Sequence, residues 1–485
     1  MKHRRSRTAS LCVILLLSLL LGGCGEMKPA ASLVPQVDAF ELSAPSAAEV
    51  TPPAAAESSI ADSSADSSLA ALSGTSESST GCTQPGSSAN RSTTRGTTHS
   101  HTTQRSSAEQ KPAPIRYTPV QPKTPMRAVW LSYFELPKTN GLDETGYHAL
   151  AEQTMKNISD AGLNTVFLHV RAFSDAIYPS ALFPWSKYIL GSGAVPDYDP
   201  LSVLLAAAHK YKLSCHAWLN PFRAASDPNP ANMAMGNPAR DFLEDKDKSN
   251  DSYVYQYSGG IYLNPAALPA QKLILDGVRE IAAKYPVDGI HIDDYFYPVT
   301  SADIDRVQYG AYCQKGGQLS LAQWRRSTVS AFVMAMNQAA KSKNSAMLFS
   351  ISPAGNISLN YNDLYADVAL WASTPGYADL LIPQLYFGFE HESLPFEKAL
   401  SQWTALTQES RIPLAFGLAA YKIGKTDSYA GTGSREWIAK KDVLPRQMKR
   451  VLALPKTGGF ALFSYSSLFG KSAPEELLSQ IRVVE

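Results

Sequence analysis

From Met126 onward, short runs dense in β-branched and aromatic residues alternate with longer stretches in which apolar residues recur every three or four positions. The first pattern predicts strands and the second amphipathic helices. Candidate strands are MRAVWLSY (126–133), NTVFLHVR (164–171), LSCHAWLN (213–220), DGIHID (288–293), MLFSIS (347–352), DLLIPQLY (379–386), PLAFGLA (413–419) and GFALFSY (459–465). Helices are predicted over 144–161, 200–211, 267–284, 320–342, 396–409 and 443–453. Eight strand–helix repeats within 126–485 predict an α/β fold, a (β/α)8 TIM barrel. A doubly wound sheet is the alternative, but the glycine-rich phosphate fingerprint expected after its first strand is missing.

Period-two alternation then assigns faces. In VDGIHIDDYFYP (287–298), Ile290 and Ile292 point one way, toward the helices, while His291 and Asp293 point into the barrel. The same reading pairs His169 with Arg171, His216 with Trp218 and Asn220, Ser350 with Ser352, and Gln384 with Tyr386. Such polar groups are expected near the carboxyl ends of the strands, where a barrel keeps its reaction site. Arg223 follows the third strand, and YVYQYSGGIYLNP within the next connection reads as a hairpin carrying Tyr253, Tyr255, Tyr257 and Tyr262. Those tyrosines suit stacking against sugar rings, or serve strand propensity alone.

Composition changes the picture for the first quarter of the chain. Residues 1–23 read as an export signal: a basic start, an apolar run from Leu11 to Leu21, then small residues ahead of Cys24. Residues 24–125 are rich in Ser, Thr, Ala and Pro and predict a disordered linker with a reach of about 55 Å. A formal charge of +1 over 485 residues gives no concentrated basic surface for nucleic acid. Of the five cysteines, Cys82, Cys215 and Cys313 remain beyond Cys24, with no CxxC pair, so no structural disulfide is expected.

LGGC (21–24) resembles the lipobox of bacterial lipoproteins, which implies cleavage before Cys24, its lipidation, and an extracytoplasmic, membrane-anchored protein of the cell envelope. RAVWLSY, GLNTVFLHVR, HAWLNPFR, YLNPA, VDGIHIDDYFYP and IPQLYFGF, in this order, resemble glycosyl-hydrolase-like family 10. The resemblance implies a TIM-barrel glycosidase acting on polysaccharide, with peptidoglycan glycan strands lacking stem peptides as its substrate in some relatives. DGIHIDDY also lines up with the fourth-strand pattern of family 18 chitinases, but His291 replaces the first inner Asp and Tyr295 the catalytic Glu. No acid ends the seventh strand either.

Glycoside cleavage ordinarily needs two carboxyl groups, one protonated and one ionised. Asp293 is the first candidate, Asp294 beside it the second, and Glu390 after the sixth strand the acid expected opposite, with Glu135 and Glu392 behind it. Repulsion between adjacent carboxylates would raise one pKa. Substrate binding is assigned to His169, Arg171, His216, Trp218, Asn220, Arg223, His291, Tyr295, Gln384 and Tyr386, with His291 alternatively orienting Asp293. No cofactor or metal is expected, and a monomer is. Two rival functions remain: a glycan-binding lipoprotein without catalysis, and a metal-dependent hydrolase using His169, His216, His291 and Asp293.

Overall fold

The computed structural model of the chain describes residues 125–293, 296–407, 412–470 and 475–482. The export signal, Cys24 and the linker therefore lie outside the described residues, as do Asp294 and Tyr295. In chain order the strands are β1 (Met126–Leu131), β2 (Thr165–Arg171), β3 (Ser214–Leu219), β4 (Arg223–Ala225), β5 (Val254–Tyr257) and β6 (Gly260–Leu263). They continue with β7 (Gly289–Ile292), β8 (Leu348–Ile351), β9 (Leu380–Leu381), β10 (Leu414–Leu418) and β11 (Thr457–Leu462). Eight of them close a barrel in the order β1-β11-β10-β9-β8-β7-β3-β2. Every neighbouring pair runs parallel. The predicted (β/α)8 barrel is the observed fold.

Helices form the outer layer, and their starts are locally encoded. Asp143 and Asp199 cap the helices Glu144–Asp160 and Pro200–Lys210, and Ser320 with Gln323 forms a reciprocal capping box on Leu321–Ala340. Outward strand residues such as Val166, Leu168, Ile290 and Ile292 join these helices in one core. Inward residues form a second cluster in which Trp130, Phe167 and Trp218 face small residues such as Ala415 and Ala461. A Cβ at Gly417 would lie 3.1 Å from the Trp130 ring, so β10 leaves the space that this indole fills. Gly459, at φ +106°, lets β11 press against β1, because a Cβ there would meet the Met126 carbonyl oxygen at 1.9 Å.

Three local departures from the expected pattern matter. The sixth strand is cut to Leu380–Leu381 because Pro383 cannot donate to a ladder; pairing resumes only as isolated bridges through Gln384. The tyrosine hairpin forms as β5 and β6, but β4 adds a third strand, giving the order β4-β6-β5. Cys313 is disulfide-bonded, with its partner outside the described residues, which corrects the expectation of no disulfide. Cys215 is free and buried.

Candidate active site

Asp293 immediately follows β7 and is buried at the barrel's carboxyl end. Its Oδ2 accepts from two groups supplied by β3 and its end, the Trp218 Nε1–H at 3.1 Å and the Asn220 Nδ2–H at 2.9 Å. An oxygen that accepts from two N–H groups carries no proton itself, so this geometry suits a carboxylate at that position. Asn220 presents its other face, Oδ1, to the His169 Nε2, and the His169 ring stacks on Trp218 with centroids 3.6 Å apart. His169, Trp218, Asn220 and Asp293 are thus one contiguous unit, as alternation along β2, β3 and β7 predicts.

An aromatic wall extends outward from this unit. Tyr133 meets His169 edge to face at 5.5 Å and also packs on Phe173 and Tyr188. The Arg223 guanidinium lies 4.4 Å from the centre of the Phe173 ring. Across the small sheet, Arg223 registers with Tyr262 and Tyr262 with Tyr255, placing all three on one face. Tyr255 and Tyr257 continue that face as half-buried, nearly parallel rings. By strand order, β9 stands across the barrel from β2. Beyond it Tyr386 contacts Tyr421 and Phe463, while Gln384 donates to the Ser352 carbonyl at 3.0 Å.

Other expected site residues are placed elsewhere. The register of β2 against β3 shifts between His169 and Arg171, a bulge that turns Arg171 off the face it was expected to share. Its guanidinium lies against the Phe183 ring and Gly277 of the helix Leu268–Lys284, with burial pulling its pKa down to about 10. His291 faces inward as expected but sits inside the barrel, 0% exposed, which rules out direct contact at an open mouth. Its Nε2 accepts from Trp130 Nε1 at 3.1 Å, so the ring proton is on Nδ1 and goes to Ser350 Oγ at 2.8 Å. His216 lies in register with Phe167 and Gly289, deeper still. Burial lowers its pKa to about 4 and drives His291 well below the ordinary histidine value. Polar residues therefore continue below the mouth, contrary to expectation, because as neutral imidazoles they avoid the cost of burying charge.

The candidate second acids also have definite places. Glu390 is half-exposed and paired with Lys440. Glu135 accepts from Ser132 N and Oγ at 3.0 and 2.5 Å, and from Ser464 Oγ and Ser466 N at 2.5 and 2.7 Å. That makes it a staple between the segments following β1 and β11. Glu392 holds the Thr432 N–H at 2.8 Å. Among the described residues, no group of three or more His, Cys, Asp or Glu side chains is arranged to hold a metal ion. Two surface depressions, around Phe389 and Arg450 and around His148 and Ser202, share no residue with the Asp293 unit and lie on the helical shell.

Sequence reasoning passed over Tyr133, Phe173 and Tyr188, although the aromatic just past the first strand was visible in WLSY. It also missed the Trp130–His291–Ser350 contacts, which join three strands distant in sequence.

Residues 125–432 match glycosyl hydrolase-like 10. The glycosyl hydrolase YngK of Bacillus subtilis is 30% identical over 349 residues, which is 67% of this chain and 66% of that protein. The chain thus spans just under two thirds of that relative's length. The glycosyl hydrolase DigH of Escherichia coli K12 is 29% identical over 384 residues, covering 71% of this chain and 84% of DigH. The PgaB (BpsB) glycoside hydrolase domain from Bordetella bronchiseptica aligns at a TM-score of 0.48 and 14% identity, over 73% of this chain and 98% of that domain. With more than half of its length matched, from the first barrel strand through the segment after β10, the chain belongs to the glycosyl hydrolase-like 10 family.

Proposed function

We propose that this protein hydrolyses O-glycosidic bonds of an extracytoplasmic polysaccharide, with peptidoglycan glycan strands lacking stem peptides as the substrate. The observation that carries the reading is the Asp293 carboxylate held at the carboxyl end of β7 by Asn220 and Trp218. It is the placement a barrel glycosidase gives a reacting acid. Family membership and the aromatic walls on either side support a sugar polymer as ligand.

In this mechanism Asp293 acts as the ionised carboxylate, attacking the anomeric carbon or activating water, and Asp294 donates the proton to the departing oxygen. Glu390 stands behind Asp294 as the alternative donor, since using it requires releasing Lys440. Tyr386 or Tyr295 steadies the oxocarbenium-like state. Cys24, lipidated, tethers the barrel to the membrane so that it searches the surrounding wall. Loss of lipid labelling in Cys24→Ser would support this tether, and unchanged labelling would remove it.

The structural engagement of Glu135 and Glu392 favours one second reading, a glycan-binding lipoprotein without catalysis. The metal-dependent alternative loses His291, whose two nitrogens are both committed to protein partners. Mass spectrometry of products from purified peptide-free wall glycan separates the first two readings. Hydrolysis by the full chain, reduced about 10³-fold in Asp293→Asn, is the expected result, on the scale at which loss of a reacting group lowers turnover. A near-wild-type rate in that variant refutes the assignment, and glycan binding with no new reducing ends selects the second reading.

A further inference from the structure

We propose that His169 is a positioning residue: through Asn220 it holds the Asp293 carboxylate in one orientation, and its proton on Nε2 makes that hold possible. The inference rests on the reading of Asp293 as the reacting carboxylate, and it assigns His169 a task other than touching substrate.

The argument follows from donor and acceptor inventory. An ionised carboxylate only accepts, so the Asn220 group facing Asp293 at 2.9 Å is the NH2. The same amide then necessarily turns its carbonyl Oδ1 toward His169. A carbonyl only accepts, so the His169 Nε2 carries a proton and donates it. All three side chains are at least 95% buried, with no exposed surface through which bulk water readily substitutes for a lost partner. The His169 Nδ1 is buried with no hydrogen-bond partner, a position tolerable for a bare lone pair and costly for an N–H. The ring is further fixed by stacking on Trp218, whose indole N–H is the second donor to the same Asp293 oxygen. His169 therefore touches both arms of the clamp without touching the carboxylate.

Removing the Nε2 donor leaves Asn220 Oδ1 buried and unsatisfied. The amide then gains by rotating toward any donor within reach, and the rotation draws its NH2 off the Asp293 oxygen. Asp293 keeps only the Trp218 donor, and the carboxylate swings away from its held orientation. Misplacement of a reacting group by about 1 Å costs on the order of 10²-fold in rate. His291, on β7 two strands away, carries its proton on the other nitrogen because Trp130 donates to its Nε2. The two buried histidines are thus expected to be opposite tautomers.

The test uses His169→Phe, which keeps a flat ring on Trp218 and removes the donor, and His169→Gln, which loses the ring and restores an N–H. Nitrogen-15 NMR of the full chain at pH 7 should show His169 neutral and protonated on Nε2, with His291 neutral and protonated on Nδ1. On peptide-free wall glycan, His169→Phe should lose about 10²-fold in kcat with KM within about 3-fold, and His169→Gln should recover most of that loss. A His169 proton on Nδ1, or equal impairment of a folded Phe and Gln pair, overturns the proposal. If no glycan is cleaved at all, the reading of Asp293 fails on its own. The tautomers, and the Asn220 amide resonances in His169→Phe against wild type, still decide the hydrogen-bond relay: unaltered Asn220 resonances would overturn it and displaced ones support it.

Discussion

Replacing Arg325 with Met should destabilise the protein by about 4 kcal/mol at pH 7. Arg325, on the helix Leu321–Ala340, is 1% exposed and Asp305 is 0% exposed. The guanidinium donates to both Asp305 oxygens, at 3.3 and 3.0 Å, to the Ser301 carbonyl at 3.2 Å and to Tyr365 Oη at 3.1 Å. It thereby ties down the segment that leads away from Asp293. Methionine has similar length and no donor, so Asp305 would be stranded. Truncating one partner of a buried pair costs about 3–5 kcal/mol. Burial pushes the Asp305 pKa up to about 7 even with the Arg325 guanidinium beside it, and removing that guanidinium raises it further. A folded pKa raised above the unfolded one loses stability as pH rises, so both proteins weaken from about pH 4 toward neutral and the variant goes on weakening to higher pH. Urea unfolding of wild type and variant at pH 7 measures the difference. Asp305→Leu with Arg325→Met should recover most of the loss, since no charge remains buried. A cost under about 1 kcal/mol at pH 7, or a double variant no more stable than the single one, would refute the reasoning.

The remaining predictions concern the barrel interior and rim. His216 has a folded pKa of about 4 against an ordinary 6.5, so the unfolded chain binds the extra proton and stability falls as pH drops from 6.5 toward 4, by up to about 3 kcal/mol. Denaturation midpoints across that range should show the slope flattened in His216→Gln, and an unchanged slope would contradict the assignment. Gly417→Leu should cost about 1–3 kcal/mol by overpacking Trp130, with partial recovery when Trp130→Phe is added; strictly additive losses would show that the two do not share space. Glu135→Gln should lower stability by about 1–3 kcal/mol, because the amide replaces two of the oxygen's acceptor positions with donors. Were Glu135 instead the second reacting acid, thermal unfolding would be unchanged while glycan cleavage vanished.

Much of the architecture was legible locally. Period-two runs and helix caps depend on neighbours within a few residues, so seven of the barrel strands and the six predicted helices fall within a few residues of their expected bounds. The eighth, shortened at Pro383, shows how one missing N–H overrides a strand-like pattern. Alternation also placed Asp293, Trp218 and His169 on the inner face, because side-chain direction in a regular strand follows from parity alone.

Parity fails where regularity does. The bulge before Arg171 is a property of how β2 meets β3, and it sends a charged side chain toward a helix instead of the mouth. Whether an acid is poised to react or spent as a staple depends on what reaches it from across the fold, as Ser464 reaches Glu135 over more than three hundred residues. The disulfide at Cys313 likewise needs a partner brought near in space. The sequence by itself determined a strand–helix alternation and a set of inward polar residues, since both arise from short-range geometry. Only the tertiary structure decided which of those residues meet, because hydrogen-bond partners and burial belong to the closed barrel and not to any one strand.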